Sequence, residues 1–392
     1  MILFLDVLIF ALVGFCAIYL WLLAVTGVRV RRILTRMNPT TRFAIVIPAH
    51  NEEAVIGITV EELLKVDYPH SLFRIFVVAD FCSDRTAEIA RLKGAVCLER
   101  SDGERGGKGS ALRWLFEQLL STGEGGDAII VFDADTCVDA QFLRLMDARL
   151  AQGAQVIQGQ HQISNPHAGW FPALTWGMVV IDNRLNNQGR SNLGLSAKHM
   201  GDSICFRSDI LRRLGWGSGL TEDFEFRLRL LLEGIHISYE PAAIGYGQAA
   251  INLKEAQAQR MRWARGVEEA SQRYRGQLLQ SGLRERDWAK LDGAFGAMLP
   301  SYTNLTLSSL VMLLLQAVLH PFTGTGMSYL WAGLAFSWLL YPLFGLFLAR
   351  APLWAYPAIF SGPLFMLWRT WLHLRMHLLP QTITWVRTVH RG

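Results

Sequence analysis

Two aspartates two residues apart, Asp133 and Asp135, follow directly on the apolar run 128–132. Carboxylates at that spacing, at the end of a buried strand, can share a hard divalent cation such as Mg²⁺ or Mn²⁺ with diphosphate oxygens. A solvated turn with an incidental second acid has the same sequence, so the pair is weighed with its neighbours. Asp80 ends another apolar run, 75–79, where a carboxylate can accept hydrogen bonds from a base or ribose, or simply cap the next helix. Pro48-Ala49-His50-Asn51-Glu52-Glu53 follows the run 43–47. Pro48 is expected to stop the ladder and the polar residues to open a helix on the same crevice, although an ordinary helix start looks alike. Gly103, Gly106, Gly107, Lys108 and Gly109 make a cationic turn before a helix, suited to phosphate or to no more than a turn. The GxxxxGK[ST] spacing of a P-loop is absent.

Further along, Thr221-Glu222-Asp223 opens a helix with Phe224, Leu228, Leu231 and Leu232 on its buried side. Thr221 is a good cap and the acids suit the positive end of the dipole, which alone would account for them. The catalytic reading makes Asp223 a general base kept ionised by the helix terminus. Gln259, Arg262 and Trp263 share one face of a polar helix. A guanidinium beside an indole suits a diphosphate and a ring; it also suits an anchor at a membrane surface.

The elements that position these residues alternate. Runs 43–47, 75–79, 96–98, 128–132 and 156–157 read as buried strands. Between them, helices are expected through Ile56, Val60, Leu63 and Leu64; from Ser83 to Gly94; through Leu112, Leu115, Phe116 and Leu119; and from Asp139 to Gly153. This alternation implies a mostly parallel sheet with helices on both faces.

Charged residues make up 18% of the 392 residues and hydrophobic ones 51%, against about 25% charged in a soluble domain, so part of the chain is expected in lipid. Segment 1–28 carries Asp6 as its only charge and is long enough to span a bilayer. It lacks the basic start and small-residue site of a cleaved signal peptide. Arg29, Arg31, Arg32 and Arg36 follow it and place its downstream end in the cytoplasm. Segments 305–319 and 330–348 are further spans; 353–368 is interrupted by Pro357, Gly362 and Pro363 and is expected to be broken or re-entrant. A tail with Arg369, Arg375, Arg387 and Arg391 among Trp371, Leu372, Leu378 and Trp385 resembles an interfacial helix, which three spans would leave in the cytoplasm. Residues 288–300 read as a short interfacial helix leading in. The net charge of +5 is explained by headgroups; no Arg/Lys array interleaved with aromatics points to nucleic acid. Cys16, Cys82, Cys97, Cys137 and Cys205 have no CxxC spacing and read as packing residues in a reducing compartment.

In order, Pro48-Ala49-His50-Asn51-Glu52, Asp80, Gly107-Lys108, Asp133-Ala134-Asp135, Thr221-Glu222-Asp223 and Gln259-Arg260-Met261-Arg262-Trp263 resemble the motifs of the family 2 glycosyltransferases. The likeness is to the membrane-bound branch containing cellulose, chitin, hyaluronan and poly-N-acetylglucosamine synthases, over residues 42–270. It implies an α/β GT-A fold with transmembrane helices: a span at 1–28, a cytoplasmic transferase domain at 42–288 and a membrane region at 289–392. It also implies inverting transfer, at the inner face of the cell membrane, from a UDP-linked sugar to a saccharide acceptor in polysaccharide synthesis. Transfer of one sugar to a lipid or polyprenyl carrier is the alternative. Pro48, Ala49, His50, Glu52 and Asp80 would hold base and ribose, and Asp133 and Asp135 the Mg²⁺ or Mn²⁺ and diphosphate, with Lys108 and Arg262 assisting. Asp223 would be the base, Gln259 and Trp263 would belong to the donor and acceptor entrance, and Gly201-Asp202-Ser203 would touch the acceptor. Trp170, Trp176 and Arg184 could serve either acceptor. His50 and Phe81-Cys82 depart from the family pattern, which leaves sugar and base open. A transporter would need polar residues in the spans, and a dinucleotide oxidoreductase would need GxGxxG after the first strand; neither is found.

Overall fold

The computed structural model describes residues 1–30, 33–103, 106–217 and 219–378. Arg31, Arg32, Trp385, Arg387 and Arg391 lie outside the described residues. The chain opens with helix α1 (Ile2–Thr26). Apolar runs without alternation then become strands buried on both faces: β1 (Phe43–Ala49), β2 (Phe73–Asp80), β3 (Val96–Arg100) and β4 (Ala128–Val131). These pair in parallel in the order β3-β2-β1-β4. Helices α2 (Ile56–Leu64), α3 (Thr86–Leu92) and α4 (Lys108–Thr122) connect them. Ile56, Val60 and Leu63 pack on one face of the sheet with Ile45 and Val77, and Leu112, Leu115 and Leu119 on the other with Val46 and Val78.

Beyond β4 the sheet departs from the parallel expectation. It continues through β5 (Cys137–Val138), β6 (Val156–Ile163), β7 (Ile204–Arg207) and β8 (Ile237–Gly247) in the order β4-β7-β6-β8-β5. Pairs β4–β7, β7–β6 and β8–β5 are antiparallel, and only β6–β8 is parallel. Helix α5 (Phe142–Ala151) starts later than Asp139, because the Asp139 amide is held on the ladder by the Ile244 carbonyl (3.0 Å). The helix expected at Ser83 likewise starts at Thr86, since the Ser83 amide bonds Asn51 Oδ1 (2.7 Å). Pro48 does not stop its strand: it stays paired opposite Val78. The Val46 carbonyl faces β4, so Pro48 faces that side too, past the last β4 pair at Val131, and its missing N–H removes no ladder bond.

After β6, α6 (Trp170–Ile181), a π-helical stretch Asp182–Asn187 and α7 (Gln188–Asn192) form one rod. Helix α1 crosses it at Gly189, where a Cβ would sit 2.2 Å from the Leu23 carbonyl oxygen, so no side chain is accommodated. Helix α8 (Ser208–Leu214) follows β7, and α9 (Glu222–Leu232) precedes β8. Helix α10 (Leu253–Glu285) begins at a capping box: Asn252 Oδ1 accepts the Glu255 amide (3.0 Å) and Glu255 Oε2 the Ile251 amide (3.1 Å). Helix α11 (Trp288–Met298) brings Asp292 to Arg190 (2.9 Å) and to the Tyr19 hydroxyl, tying α1, the rod and α11 together.

Helices α1 and α12 (Tyr302–Leu348) are long and apolar enough to cross a membrane. Helix α12 breaks at Gly324, whose φ of 78° is left-handed. Its halves fold back on each other: Trp338 Nε1 donates to Ser309 Oγ (2.9 Å), and the Tyr302 hydroxyl donates to the Trp338 carbonyl. The two runs expected at 305–319 and 330–348 are the legs of this hairpin. Asp6 of α1 pins it, accepting from Gln316 Nε2 (3.0 Å) and Trp331 Nε1 (2.7 Å). Short 3₁₀ turns Leu353–Ala355 and Pro357–Ser361 lead into α13 (Gly362–Leu378), which packs against α10 and α12.

Candidate active site

The carboxyl ends of β1, β2 and β4 meet at one crevice. There the turns after β1 and β2 are stitched together. His50 Nδ1 lies 2.6 Å from the Asp80 carbonyl oxygen, and the Glu52 amide donates to Thr86 Oγ1 (2.8 Å). Asn51 and Phe81 both take left-handed φ, 56° and 50°, to make the close turns. Asp80 is buried, and its carboxylate already accepts from Arg100 (2.6 Å), the residue opposite it on β3. Arg100 was not singled out in the sequence: only strand pairing identifies it. Asp80 therefore presents a neutralised, oriented carboxylate rather than an open one.

Asp133 and Asp135 follow β4 as expected. Lys108 starts α4 and donates to both the Asp133 carboxylate and the Gly201 carbonyl (2.5 Å), joining the acidic pair to the loop before β7. Burial works against the ammonium, but the Asp133 charge outweighs it and holds Lys108 above the usual lysine range. Asp135 accepts the Gln248 amide at the end of β8 (2.6 Å). Asp202 turns inward: it accepts the Asp133 amide (3.0 Å), His161 Nδ1 (2.9 Å) and Ser203 Oγ (3.0 Å). Burial would raise its pKa, but the His161 bond and charge with Lys108 hold it below the carboxylate norm. Of the Gly201-Asp202-Ser203 loop, then, Asp202 supports Asp133 from behind. The buried Gln158 fixes that loop from below, donating to the Asp202 carbonyl (2.7 Å) and accepting the Met200 amide (2.9 Å).

Asp223 lies across the crevice on the first turn of α9. Thr221 occupies the cap position but its side chain makes no cap bond. Its Oγ1 is buried, with no hydrogen-bond partner among the described residues, against Gly266 of α10, where a Cβ would come within 2.6 Å. Asp223 Oδ1 instead takes the Phe224 amide (2.8 Å), leaving Oδ2 with no hydrogen bond among the described residues. Burial pushes the Asp223 pKa up from the ordinary aspartate value, and the Phe224 amide at the helix terminus, Lys108 and Arg262 pull it part of the way back. Glu222 beside it is driven up to about 7 by burial and by the Asp223 charge. Gly201, at φ 80°, approaches so closely that a Cβ there would sit 3.0 Å from Asp223 Oδ2. Arg262 on α10 is near enough for its charge to lower both carboxylates. Gln259 and Trp263 share its helix; Trp263 is exposed, and Arg260 stacks 5.1 Å over its ring. Trp170, Trp176 and Arg184 lie on the rod, away from the carboxylates: Trp176 packs on Trp354 (4.9 Å), and Arg184 donates to the Val28 carbonyl (2.7 Å).

A parallel half-sheet ending in Asp133 and Asp135, continued by antiparallel strands that carry a facing acid on α9, defines a GT-A glycosyltransferase. Residues 39–266 match the family described as glycosyltransferase like family 2, and the chain belongs to that family. It is 29% identical over 242 residues to the probable glycosyltransferase YdaM of Bacillus subtilis, covering 59% of this chain and 56% of that protein. The chain thus spans little more than half the length of that relative. It is 27% identical over 376 residues to the beta-monoglucosyldiacylglycerol synthase of Synechocystis, covering 90% of this chain and 75% of that one. Among solved structures, the mannosyltransferase PcManGT of Pyrobaculum calidifontis, in complex with GDP-Man and Mn²⁺, superimposes with a TM-score of 0.55. At 14% identity, over 88% of this chain and 99% of that one, the likeness is one of fold.

Proposed function

We propose that this protein transfers one hexose, with inversion, from a nucleotide-sugar to the hydroxyl of a membrane lipid. The observation that carries this reading is the neighbourhood of the base. Helix α10 brings Arg262 to Asp223, and α13 packs against the other flank of the same helix with Leu364, Leu367, Trp371 and Leu374 exposed. That exposed apolar face would hold the transferase at a lipid surface, where a lipid acceptor is at hand. The diacylglycerol named for the Synechocystis relative is a lipid of this kind. In this reading α1 and the legs of α12 cross the inner membrane, and residues 42–288 form the cytoplasmic transferase. Growth of a polysaccharide is the second reading, favoured by Gln259-Arg260-Met261-Arg262-Trp263.

In the mechanism, the turn Pro48-Ala49-His50-Asn51-Glu52 and the Asp80–Arg100 pair hold base and ribose. Asp133 and Asp135 offer the hard oxygen donors that Mg²⁺ or Mn²⁺ requires, and Lys108 already marks the spot beside Asp133 as one that holds positive charge. A cation bound there would help neutralise the departing nucleoside diphosphate. Asp223 Oδ2 takes the acceptor's proton while the oxygen attacks the anomeric carbon. The bond from that carbon to the diphosphate breaks, its electron pair stays with the diphosphate, and Lys108 and Arg262 stabilise the charge. One carboxylate base without a nucleophilic partner agrees with inversion, by analogy with hydrolases.

The test is diphosphate release by the purified full chain, with Mn²⁺ or Mg²⁺, across UDP- and GDP-sugars, offered either diacylglycerol or a saccharide primer. Asp223→Asn should still bind donor while transfer falls roughly 10²- to 10⁴-fold; near-normal turnover would refute the base. Glycosylation of the primer but not of diacylglycerol would overturn the lipid reading in favour of the polymer.

A further inference from the structure

Arg260 and Arg369 take no part in this chemistry. Arg260 precedes Arg262 by two residues on α10, a rotation of about 200°, so it faces the flank opposite the carboxylates. There its guanidinium lies between Trp263 (5.1 Å) and Phe365 of α13 (5.8 Å), and its Nε has no hydrogen-bond partner among the described residues. Arg369, one turn beyond Phe365, is close enough for the two positive charges to repel. Among the described residues neither arginine forms an ion pair, and burial holds both below the ordinary guanidinium range. Two half-buried cations side by side without a counter-charge are unfavourable. A guanidinium pair of this kind matches the oxygens of a phosphate, which each can grip in bidentate fashion.

Helix α13 indicates where that phosphate would come from. Leu364, Leu367, Trp371, Leu374 and Leu378 recur at three and four residues and are all exposed, while Phe365 and Leu372 are buried toward the protein. Such a helix lies in the membrane interface with its apolar stripe in the acyl region and its arginines among the headgroups. Arg375, stacked on Trp371 at 5.3 Å, belongs to the same layer.

We propose that Arg260 and Arg369 form a binding site for the phosphate of an anionic membrane lipid, on the far flank of the helix that carries Arg262. The phosphate would offset one of the two positive charges and fasten α10 to α13, whichever acceptor the enzyme uses. The probe is phosphatidylglycerol, against phosphatidylcholine, in nanodiscs holding the full chain, with retained lipid read by native mass spectrometry. Wild type should retain phosphatidylglycerol selectively, and Arg260→Gln and Arg369→Gln should each weaken retention roughly fivefold, the effect of one cation at an anionic surface. Arg260→Lys with Arg369→Lys should keep most of the selectivity. Donor binding, read separately, reports that each variant is folded. Undiminished retention by the double glutamine variant would overturn the site. Displacement of the lipid by inorganic phosphate or glycerol phosphate would overturn its assignment to a membrane lipid.

Discussion

Replacing Gly201 by alanine tests whether the loop before β7 sets the position of the base. Two effects are built into the substitution. Alanine at a φ of 80° is disfavoured by about 1–2 kcal/mol, which lowers stability wherever it occurs. The new Cβ would also sit 3.0 Å from Asp223 Oδ2, where ordinary contact begins at 3.4 Å, so the carboxylate or the loop must give by about 0.4 Å. If a 1 Å misplacement lowers a rate about 100-fold, a shift of about 0.4 Å at proportionate free energy lowers kcat roughly sixfold. The loss grows if the loop moves instead, because the Gly201 carbonyl also holds Lys108. Gly194→Ala is the control: its φ is 73°, and a Cβ there meets nothing within 4 Å. Both variants should melt at similarly reduced temperatures, but only Gly201→Ala should lose turnover, with donor affinity nearly unchanged in both. Equal kcat in the two variants, at equal donor binding, would refute the idea that this glycine makes room for the base.

Glu222 should make the protein less stable as pH rises. Its folded pKa of about 7 exceeds the reference 4.5, so the native state binds the extra proton between those values, and stability is lost as pH climbs through about 7, by up to about 3 kcal/mol. Glu222→Gln should flatten the fall of melting temperature over that window; an unchanged slope would assign the effect to another group. Asp6→Ala should leave Gln316 and Trp331 with unsatisfied buried donors and lower stability by about 2–4 kcal/mol, with Asp6→Asn milder because one acceptor oxygen remains. Identical melting of the two would remove Asp6 as the pin between α1 and the hairpin. Chelation should abolish wild-type diphosphate release and Mn²⁺ restore it, whereas Asp133→Ala should stay roughly 10²- to 10³-fold down with Mn²⁺ present. Full activity in chelator would dismiss the metal role of Asp133 and Asp135.

The parallel half of the sheet was legible because its strands are continuous apolar runs, buried on both faces: Phe43, Ile45 and Ile47 face one core, Ala44 and Val46 the other. The other half was not. Of β6 only the opening pair Val156-Ile157 reads as a strand, because Gln158-Gly159-Gln160-His161 follows, and β8 contains Glu240 and Pro241, so neither shows its full length as an apolar run. Their polar residues have work at the site: Gln158 fixes the loop before β7, His161 bonds Asp202, and the β8 end supplies the Gln248 amide to Asp135. A strand that furnishes a polar site loses the periodicity by which strands are found.

The same reasoning explains which site residues could be read in one dimension. Asp133, Asp135, Asp223, Lys108 and Arg262 stand at the ends or on the faces of local elements, so spacing reveals them. Arg100, Asp202 and His161 reach the site through partners 20 to 69 residues away, across strands whose pairing the chain does not announce. The longest of these links runs from the rod that packs on α1. Asn183 of the π-helical stretch donates to the His161 carbonyl (2.7 Å), His161 bonds Asp202, and Asp202 accepts the Asp133 amide. The π-helical segment supplies the register for this, since an extra residue in the turn rotates Asn183 away from where an unbroken α-helix would carry it. The rod is clamped to α1 at Gly189 and to α11 through Arg190 and Asp292. The position of Asp133 is therefore braced by the same rod that seats the first apolar helix, α1.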